Sequence, residues 1–444
     1  MTSPSVGSVV QHHTSEVVQP AGENPPLVFF DDARARKFEP FALSRPFCEV
    51  RVGALLVRER WELAFGFAST GFIGAAHLAG FSEDGAPPSI EGVLRAGTIV
   101  VNSRAAVSLA IAPGSLLRVH ARAGYSSVGR KWMMSGRVAA VELTEDTSLS
   151  AFESSDPFAT RAQDDGAATS HAAVAESDGV WIDEIWDIIR HLTPLLLGDI
   201  PVIAKARSFA NVSSNNNGPV VTGRHPLFLE DGASVEPFTY FDTTLGPVVI
   251  RRGSTVQAFT RVVGPCYIGR DCNIAGDRIS GCAIGDTCRV HGEVSATVFI
   301  GQSNKGHEGF VGHSIVGRWV NLGAGTTTSN LKNTYGTVAL WTPDGVRDTG
   351  LQFLGTLFGD HAKTGIGLTL TTGCVLGLAV NVFDHMPPKV VEPFAWGSDA
   401  PYGTYDPDKF LETAARMMAR RQVEMSDAMR AGLQKVHAAR WRAG

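Results

Sequence analysis

The chain has few cysteines, a modest share of charge and no long apolar run. Six cysteines in 444 residues do not indicate a disulfide-stabilised fold, and they are consistent with a reducing cytoplasm. A formal net charge of −5 offers no global attraction to nucleic acid or to anionic membranes. No run of about 18 apolar residues is present, so no membrane span is expected. The composition therefore indicates a cytoplasmic globular protein of two or three domains.

Two segments have compositions that do not favour a packed core. Residues 1–25 lack the basic region and long apolar core of a signal peptide, so we predict a disordered tail. Residues from about 148 to 180 are rich in Ser, Ala, Asp and Thr and poor in apolar residues. This composition predicts a mobile insertion within an N-terminal domain spanning 26–215.

A branched aliphatic residue returns at every sixth position over much of the second half of the chain. That period fits neither a helix nor a simple strand alternation, and it is typical of a hexapeptide-repeat, left-handed parallel β-helix. Each aliphatic residue is then expected to point into a triangular prism, and the glycines that often follow it suit tight corners. We predict this solenoid over 220–398. The positions are Ile250, Val256, Val262, Ile268, Ile274, Ile284, Val290, Val316 and Leu322.

Four of the cysteines, Cys266, Cys272, Cys282 and Cys288, lie close together in this repeat. Residues six apart occupy different sides of the prism, and this spacing is not that of a zinc finger. We therefore interpret them as buried thiols that act as small core residues rather than as a metal cluster.

Outside the repeat, the pattern indicates an α/β domain and a C-terminal helix. The run Leu27 to Phe30 predicts a buried strand that delivers Asp31 and Asp32 to its carboxyl edge, where α/β sheets bind ligands. Further strands are expected at 50–57, 97–101 and 136–143, and helices at 59–65 and 181–197. Residues 405–444 should form a helix that docks on the solenoid or on a neighbouring subunit. Its apolar stripe is Phe410, Ala414, Met417 and Met418.

The repeat is interrupted between Val298 and Gly312 and again between Asn333 and Gln352, and we predict an outward loop at each interruption. The first interruption concentrates polar residues around His307, which two glycines flank. An imidazole with a pKa near 6.5 can accept a proton from an amine that attacks an acyl group. The alternative is that His307 only caps the loop by hydrogen bonding.

The run SNKGHEGFVGHSIVGRWVNLGAGTTTSNLKN, residues 303–333, resembles the acetyltransferase site of a bifunctional family. That family comprises the glucosamine-1-phosphate acetyltransferases and N-acetylglucosamine-1-phosphate uridyltransferases, and the likeness is strongest to its variant branch of sugar nucleotidyltransferases. The resemblance implies that His307 is the general base, that Asn330 helps to hold the amino sugar or the base, and that Phe310 replaces a tyrosine. It also implies acetyl-CoA as co-substrate. A homotrimer is expected because one solenoid offers only a shallow groove.

Lys305, Lys332 and Lys363 are candidates for binding a sugar phosphate or the pyrophosphate of coenzyme A. For each of them, a solvated surface lysine is the alternative. The better-known branch has a lysine upstream of the histidine, where this chain has the uncharged run 294–297. Substrate identity is therefore less constrained than the reaction type.

The segment FFDDARARKFEPFALSRPFCEVRVGALLVRERW, residues 29–61, is similar to the N-terminal motif of the variant branch and implies a nucleotidyltransferase-like, Rossmann-like domain. The glycine-rich phosphate loop of the better-known branch is missing. Arg45 and Arg51 are candidates for phosphate binding, and Asp31 or Asp32 for contact with metal or base. Asn102 stands where such domains usually place a magnesium-binding aspartate. Magnesium is thus expected for nucleotidyl transfer, although no metal ligand is assigned.

Together with the sequence features, the resemblance implies a transferase of nucleotide-sugar biosynthesis. The solenoid is expected to N-acetylate an amino-sugar 1-phosphate with acetyl-CoA, and the N-terminal domain to transfer a nucleotidyl group from UTP or another NTP, giving a product such as UDP-N-acetylglucosamine. Two alternatives stay open: an acetyltransferase with an inactive N-terminal domain, and a non-catalytic regulator that binds sugar nucleotides. A zinc site at His307 and His313, with His291 as a third ligand, is a further alternative.

Overall fold

The computed structural model describes residues 24–110, 114, 116, 129–155, 158, 174–213 and 218–442. Residues 1–23 of the predicted tail and 159–173 of the predicted insertion lie outside the described residues.

The first twelve strands and four helices form what we call the N-terminal domain. Its strands are β1 (Leu27–Phe30), β2 (Arg51–Val52), β3 (Leu55–Leu56), β4 (Gly71–Ile73), β5 (Val93–Leu94), β6 (Ile99–Asn102), β7 (Ala105–Val107), β8 (Lys131–Met134), β9 (Arg137–Glu142), β10 (Thr147–Ser148), β11 (Val174–Glu176) and β12 (Gly179–Trp181). Its helices are α1 (Val57–Phe65), α2 (Leu149–Ser155), α3 (Asp187–Arg190) and α4 (Leu192–Ala206), with short 3₁₀ turns at Ala35–Lys37, Phe47–Glu49 and Ala76–Leu78.

A six-stranded mixed sheet in the order β11-β8-β9-β6-β1-β4 forms the centre of this domain. Strand β1 runs parallel to both β4 and β6, and Phe30 pairs with Asn102. The carboxyl ends of β1 and β6 therefore meet at one edge of the sheet. Strand β1 is buried along its whole length because its four residues are all apolar.

Two predicted elements of this domain were wrong in detail. The predicted strand at 50–57 is instead an antiparallel pair of two-residue strands, β2 and β3, followed directly by α1. The predicted helix at 181–197 begins later, because Gly179–Trp181 pairs with Ala105–Val107 as strand β12 and the Trp181 indole donates a 2.8 Å hydrogen bond to the carbonyl oxygen of Met134. The apolar residues that suggested the helix are nevertheless buried: Ile182, Ile185, Trp186 and Ile189.

A left-handed parallel β-helix follows, as predicted, and we call it the solenoid. Its first face is a ten-stranded sheet: β13 (Ala210–Val212), β15 (Leu227–Leu229), β18 (Val248–Ile250), β21 (Cys266–Ile268), β24 (Ala283–Ile284), β27 (Val298–Phe299), β30 (Ile315–Val316), β34 (Leu357–Phe358), β37 (Val375–Leu376) and β39 (Val390–Val391). All of these run parallel except β13, which pairs antiparallel with β15.

The other two faces complete the triangular coils. The second face contains β14 (Val220–Thr222), β17 (Tyr240–Asp242), β20 (Thr260–Val263), β23 (Asp277–Ser280), β26 (Val294–Ser295) and β29 (Val311–Gly312). The third face contains β16 (Ser234–Val235), β19 (Thr255–Val256), β22 (Asn273–Ala275), β25 (Arg289–His291) and β28 (Asn304–Lys305).

Later coils carry the remaining strands. Strand β31 (Thr327–Thr328) pairs with β36 (Thr369–Leu370), and β32 (Ala339–Thr342) pairs with β33 (Gly345–Asp348) in an antiparallel hairpin. The last sheet contains β35 (Lys363–Thr364), β38 (Asn381–Val382), β40 (Ala395–Gly397) and β41 (Gly403–Thr404). Bridges from Asn321 to Asn304 and to Lys363 connect it to the third face.

The hexad prediction is confirmed by burial. Every aliphatic position of the predicted repeat is at most 2% exposed, and these side chains form the core inside the prism. On the first face, the residues between them point outward and pack against the N-terminal domain, as Val249, Tyr267 and Ala283 do. Both sides of this sheet are therefore apolar, which fixes the domain against the solenoid.

The cysteines and glycines of the repeat also lie in the prism. Cys266, Cys272, Cys282 and Cys288 are free thiols buried in the solenoid core, as predicted. Gly285 is required by close stacking of the coils rather than by a tight corner, because a Cβ there would lie 2.2 Å from the carbonyl oxygen of Ile300 on the next coil. Left-handed backbone occurs at other glycines of the solenoid, such as Gly276 and Gly292, and also at larger residues, including His313.

The two interruptions of the repeat differ. The first is not an outward loop, because β28 pairs in register with β25 and Val298 pairs with Ile315 on the following coil. The second interruption does leave the coil, forming the β32–β33 hairpin.

The C-terminal segment forms two helices, α5 (Pro407–Ala419) and α6 (Asp427–Ala438). The side chains of Asp406 and Ser426 cap them by accepting hydrogen bonds from backbone N–H groups. Phe410, Ala414 and Met418 are buried against the solenoid of the same chain, whereas Met417 is half-buried. No described helix is long and apolar enough to cross a membrane.

Candidate functional site

Lys305 occupies the position that an aliphatic residue holds in the neighbouring coils. It pairs in register with Val290, which points into the prism, and it is only 2% exposed. Its ammonium group donates a 2.8 Å hydrogen bond to the carbonyl oxygen of His291 and a second hydrogen bond to the carbonyl oxygen of His307. The first interruption of the repeat is therefore an inward lysine rather than a loop.

Burial of Lys305 lowers the pKa of its ammonium group to about 8, against the weaker opposing effects of Asp277 and Glu308. The two carbonyl contacts hold the backbone of the corner on which His307 stands. Lys305 is thus placed to position His307. Its predicted contact with a substrate phosphate stays a prediction.

His307 lies at an exposed corner of the coil. Its backbone is held by Lys305, while its imidazole forms no hydrogen bond within the described part of the chain. The next residue, Glu308, accepts a 3.0 Å hydrogen bond from the backbone N–H of Gly325 on the following coil. The corner is therefore fixed and the ring is accessible, which is the arrangement that a general base requires.

Phe310, His313, Asn330 and Phe353 form a cluster beyond this corner. A Cβ at Gly312 would lie 2.4 Å from Phe310 Cζ and 2.6 Å from Asn330 Nδ2, so glycine allows these two side chains to meet. Asn330 Nδ2 lies 2.8 Å from His313 Nδ1, and the His313 ring stacks on Phe353 with 5.2 Å between centroids. The structure thus brings Asn330 together with Phe310, which follows His307 by three residues.

His313 is held in this cluster as a half-buried ring. Burial lowers the pKa of His313 below its ordinary value of 6.5. A neutral ring that accepts the Asn330 amide at Nδ1 carries its proton on Nε2. His313 can therefore donate a hydrogen bond from Nε2 at neutral pH, a role that sequence reasoning missed.

The other two candidate lysines lie elsewhere. Lys332 donates a 2.8 Å hydrogen bond to the carbonyl oxygen of Thr337, within its own turn. Lys363 donates a 2.9 Å hydrogen bond to the carbonyl oxygen of His361, and burial lowers its pKa to about 8. A β-bridge pairs Lys363 with Asn321 on the third face. Phosphate binding by either lysine stays a prediction.

Within the described ranges, no group of three or more His, Cys, Asp or Glu residues is arranged to hold a metal ion. The three histidines of the alternative zinc site do not face one common point. The backbone carbonyls of His291 and His307 both accept from Lys305. The His313 ring instead contacts Asn330 and Phe353.

In the N-terminal domain, Asp31 and Asp32 lie at the carboxyl end of β1, beside Asn102 at the end of β6. Asp31 is buried and accepts 3.0 and 3.2 Å hydrogen bonds from the backbone N–H of Phe47. Burial raises the pKa of Asp31 to about 6, although the nearby Ser103 hydroxyl and the hydrogen bonds from the Phe47 N–H oppose the shift.

Asp32 is held by a guanidinium group. Arg104 donates hydrogen bonds of 2.7 to 2.9 Å to both carboxylate oxygens, and Asn102 Nδ2 donates one of 3.0 Å. Burial acts to raise the pKa of Asp32, but the hydrogen bonds and charge of Arg104 outweigh it, so the pKa is lowered. Arg104 also contacts Asp183 at 2.7 Å, which extends a charged network along this edge.

This arrangement does not fit a magnesium ion. Both oxygens of Asp32 already accept from Arg104, the Asn102 amide points its nitrogen at Asp32, and Asp31 turns its oxygens to a backbone N–H. No step of the chemistry is therefore assigned to a metal here.

Arg45 and Arg51 contact the solenoid. Arg45 is 1% exposed and donates hydrogen bonds to Glu83 (2.8 and 2.9 Å) and Asp360 (2.6 and 2.9 Å). Arg51 donates to the carbonyl oxygen of Ala54 and lies 5.6 Å from the centre of the Tyr267 ring. Both guanidinium groups thus lie between the N-terminal domain and the solenoid. Phosphate binding by them stays a prediction.

A pocket of about 320 Å³ opens beside the carboxyl end of β1. Its cations are paired: Lys37 lies 2.7 Å from Asp344, and Arg34 and Arg347 each lie 2.7 Å from Glu184. Asp344 and Arg347 belong to the β32–β33 segment, so the solenoid hairpin closes one wall of the pocket.

Residues 27–208 match the family model described as sugar nucleotidyl transferase. The N-terminal domain is therefore similar to sugar nucleotidyl transferases. The chain is also similar to the bifunctional sugar-1-phosphate nucleotidylyltransferase/acetyltransferase of Sulfurisphaera tokodaii, with 31% identity over 91 residues. The alignment covers 20% of this chain and spans only 23% of the relative's length.

Proposed function

We propose that the chain is a bifunctional sugar-1-phosphate nucleotidyltransferase and acetyltransferase. The observation that carries this proposal is the combination of a domain matching sugar nucleotidyl transferases with a solenoid whose fixed, exposed corner presents the His307 imidazole. The name of the Sulfurisphaera relative, which includes both activities, supports the same combination.

In the proposed acetyl transfer, the acceptor is an amino-sugar 1-phosphate such as glucosamine 1-phosphate. His307 accepts a proton from the amine as the nitrogen attacks the thioester carbonyl of acetyl-CoA, and the coenzyme leaves as its thiol. Asn330 and Phe310 line the sugar side, and Lys305 holds the corner. The donor lies along the solenoid, where a second subunit of a trimer would form the opposite wall.

In the proposed nucleotidyl transfer, the phosphate oxygen of the N-acetylated sugar attacks the α-phosphorus of UTP or another NTP, and pyrophosphate leaves. The pocket of about 320 Å³ beside the end of β1 is the proposed site. This location fits the tendency of α/β sheets to bind ligands at the carboxyl ends of their strands.

A second candidate is an acetyltransferase whose N-terminal domain has lost turnover. The contacts of Asp32 favour it, because Arg104 and Asn102 occupy the carboxylate that would otherwise contact a metal or a base.

Two assays test these proposals separately. Release of free thiol from acetyl-CoA is followed with glucosamine 1-phosphate, with glucose 1-phosphate as the control that lacks an amine. We expect thiol release only with the amine. Release of pyrophosphate from UTP is followed with N-acetylglucosamine 1-phosphate, with and without Mg²⁺. Thiol release without any pyrophosphate would support the second candidate, and neither product would contradict both.

A further inference from the structure

A basic pocket of about 240 Å³ lies between the third face of the solenoid and the end of helix α5. Three arginines line it: Arg289 comes from β25, and Arg420 and Arg421 follow α5 directly. Among the residues that the structure describes, no acidic side chain lines this pocket. The amide side chains in its wall are Gln302, Asn304 and Asn321.

The register of the third face builds the floor of this pocket. Arg289 pairs with Asn304, and a bridge places Asn321 beside Asn304 on the next coil. Residues paired in register on parallel strands point to the same side, so these three side chains form an outward row along the solenoid. Asn304 Nδ2 donates a 2.8 Å hydrogen bond to Asn321 Oδ1, which leaves the amide hydrogens of Asn321 for another acceptor.

The positive charge of the pocket is not compensated. None of the three arginines forms an ion pair with any described residue. Within the described part of the chain, the Arg289 guanidinium group donates only to the carbonyl oxygens of Asp271 and Cys288, at 2.9 and 3.3 Å. Arg421 Nε and Gln302 Oε1 are buried, and neither has a hydrogen-bond partner in the described chain. Burial, together with the charges of Arg289 and Arg420, lowers the pKa of Arg421.

We propose that this pocket binds a phosphate or diphosphate group. Guanidinium groups donate paired hydrogen bonds that match the spacing of phosphate oxygens, and a multiply charged anion relieves the repulsion among three cations. The pocket is smaller than the roughly 300–1,000 Å³ that encloses a whole drug-sized ligand. It therefore suits the phosphate group of a ligand better than an entire nucleotide.

Two sources could supply this group. One is a free inorganic anion, and the other is the phosphate end of a larger ligand that extends toward His307. Asn304 precedes His307 by three residues, so their Cα atoms are at most about 11 Å apart. The second source rests on the proposed acetyl transfer, whereas the first does not.

Calorimetric titration of the full chain with inorganic phosphate and with pyrophosphate tests the proposal. Sodium chloride at equal ionic strength serves as the reference, because exposed cations attract any anion weakly. The test variants are Arg289→Gln and Arg421→Gln. The matched control is Arg416→Gln, since the Arg416 side chain lies on α5, is 77% exposed and pairs with Glu412.

We expect pyrophosphate to bind the wild type and Arg416→Gln saturably, and to bind both pocket variants at least tenfold more weakly. Thermal unfolding without added anion checks that the variants fold. Arg421→Gln should then melt no lower than the wild type, because the substitution removes a repelled charge. Pyrophosphate should raise the melting temperature of the wild type but not that of Arg421→Gln.

Coenzyme A distinguishes the two sources. If coenzyme A competes with pyrophosphate and binds the same two variants more weakly, the pocket holds the phosphate end of the coenzyme. Pyrophosphate binding that coenzyme A does not displace would identify a free-anion site, and either result supports the proposal. Equal affinity in wild type and variants, or no saturable binding above the chloride reference, would overturn it. Because calorimetry requires no turnover, this outcome is independent of whether acetyl transfer occurs.

Discussion

The ammonium group of Lys305 donates a hydrogen bond to the carbonyl oxygen of His307, two residues further along the chain. A second hydrogen bond, of 2.8 Å, connects the same ammonium group to the carbonyl oxygen of His291 on the preceding coil. A buried cation in the aliphatic row of the solenoid thus fixes the corner that carries the proposed general base.

Replacing Lys305 with methionine should impair catalysis without removing the acyl acceptor site. Methionine fills the apolar row but releases both carbonyl groups, so the corner loses its anchor. We expect kcat for thiol release to fall about tenfold or more, while KM for the sugar phosphate changes little. Lys409→Met, an exposed substitution on α5, is the control and should retain wild-type kcat. A rise in KM at unchanged kcat would instead indicate that Lys305 binds the substrate phosphate.

The titration of Lys305 gives a separate prediction for stability. Its pKa is lowered to about 8 in the folded chain from an ordinary value of 10.5, so the unfolded chain binds more protons between these pH values. The contribution of Lys305 to the free energy of unfolding should therefore rise as pH increases through this window.

Urea unfolding of the wild type and Lys305→Met at pH 7.5 and 10 measures this contribution. The wild type should gain stability relative to the variant as pH rises. Lys363, whose pKa is also lowered to about 8, is present in both proteins, so its effect cancels. A difference that stays constant or shrinks with pH would contradict the buried, desolvated position of Lys305.

Asp31 should show the opposite dependence on pH. Burial raises its pKa to about 6 from 3.8, so its contribution to stability is fully present below pH 3.8 and is lost as pH rises through 6. Asp31→Asn keeps an acceptor for the Phe47 N–H but cannot ionise. Relative to the wild type, this variant should be more stable at pH 7.5 than at pH 4.5, as measured by urea unfolding. Asp32→Asn should show the opposite pH dependence of stability relative to the wild type, because the pKa of Asp32 is lowered.

Arg45 should matter for stability more than for nucleotide binding. Arg45→Met leaves Glu83 and Asp360 with less compensation in a buried setting, and loss of one partner from a buried ion pair costs about 3–5 kcal/mol. Arg95→Met, at a pair whose arginine is 78% exposed, should destabilise the chain far less, because exposed ion pairs contribute little to stability. Chemical denaturation compares the two. If Arg45→Met instead keeps wild-type stability but raises the KM for the nucleotide, that result would support the predicted role of Arg45 in phosphate binding.

Much of the fold could be predicted from the sequence because the solenoid repeats one local rule. A coil must place a small or aliphatic side chain inside the prism at each hexad, and these positions from Ile250 to Leu322 are all buried. The rule failed at Lys305, where a charged residue in an aliphatic position looked like a loop. Only the register of neighbouring strands reveals that its ammonium group reaches backbone carbonyls at the corner.

The candidate site was predicted less completely, since its contacts join residues that are far apart in the chain. Arg45 suggested phosphate binding by its motif, but its partner Asp360 lies over three hundred residues later. Likewise, the pairing of His313 with Asn330 and Phe353 depends on coils that the sequence does not show to be adjacent. The charge cluster of Arg289 and Arg421 needs α5 to dock on the third face.

The most direct test of the proposed acetyl transfer compares two histidine substitutions in the same solenoid. The measurement is the initial rate of thiol release from acetyl-CoA with glucosamine 1-phosphate, for His307→Ala and for His385→Ala, another exposed histidine. Removal of a general base typically costs about 100-fold or more in rate, so His307→Ala should lose at least that much while His385→Ala keeps the wild-type rate. Equal rates for the two variants would contradict a catalytic role for His307.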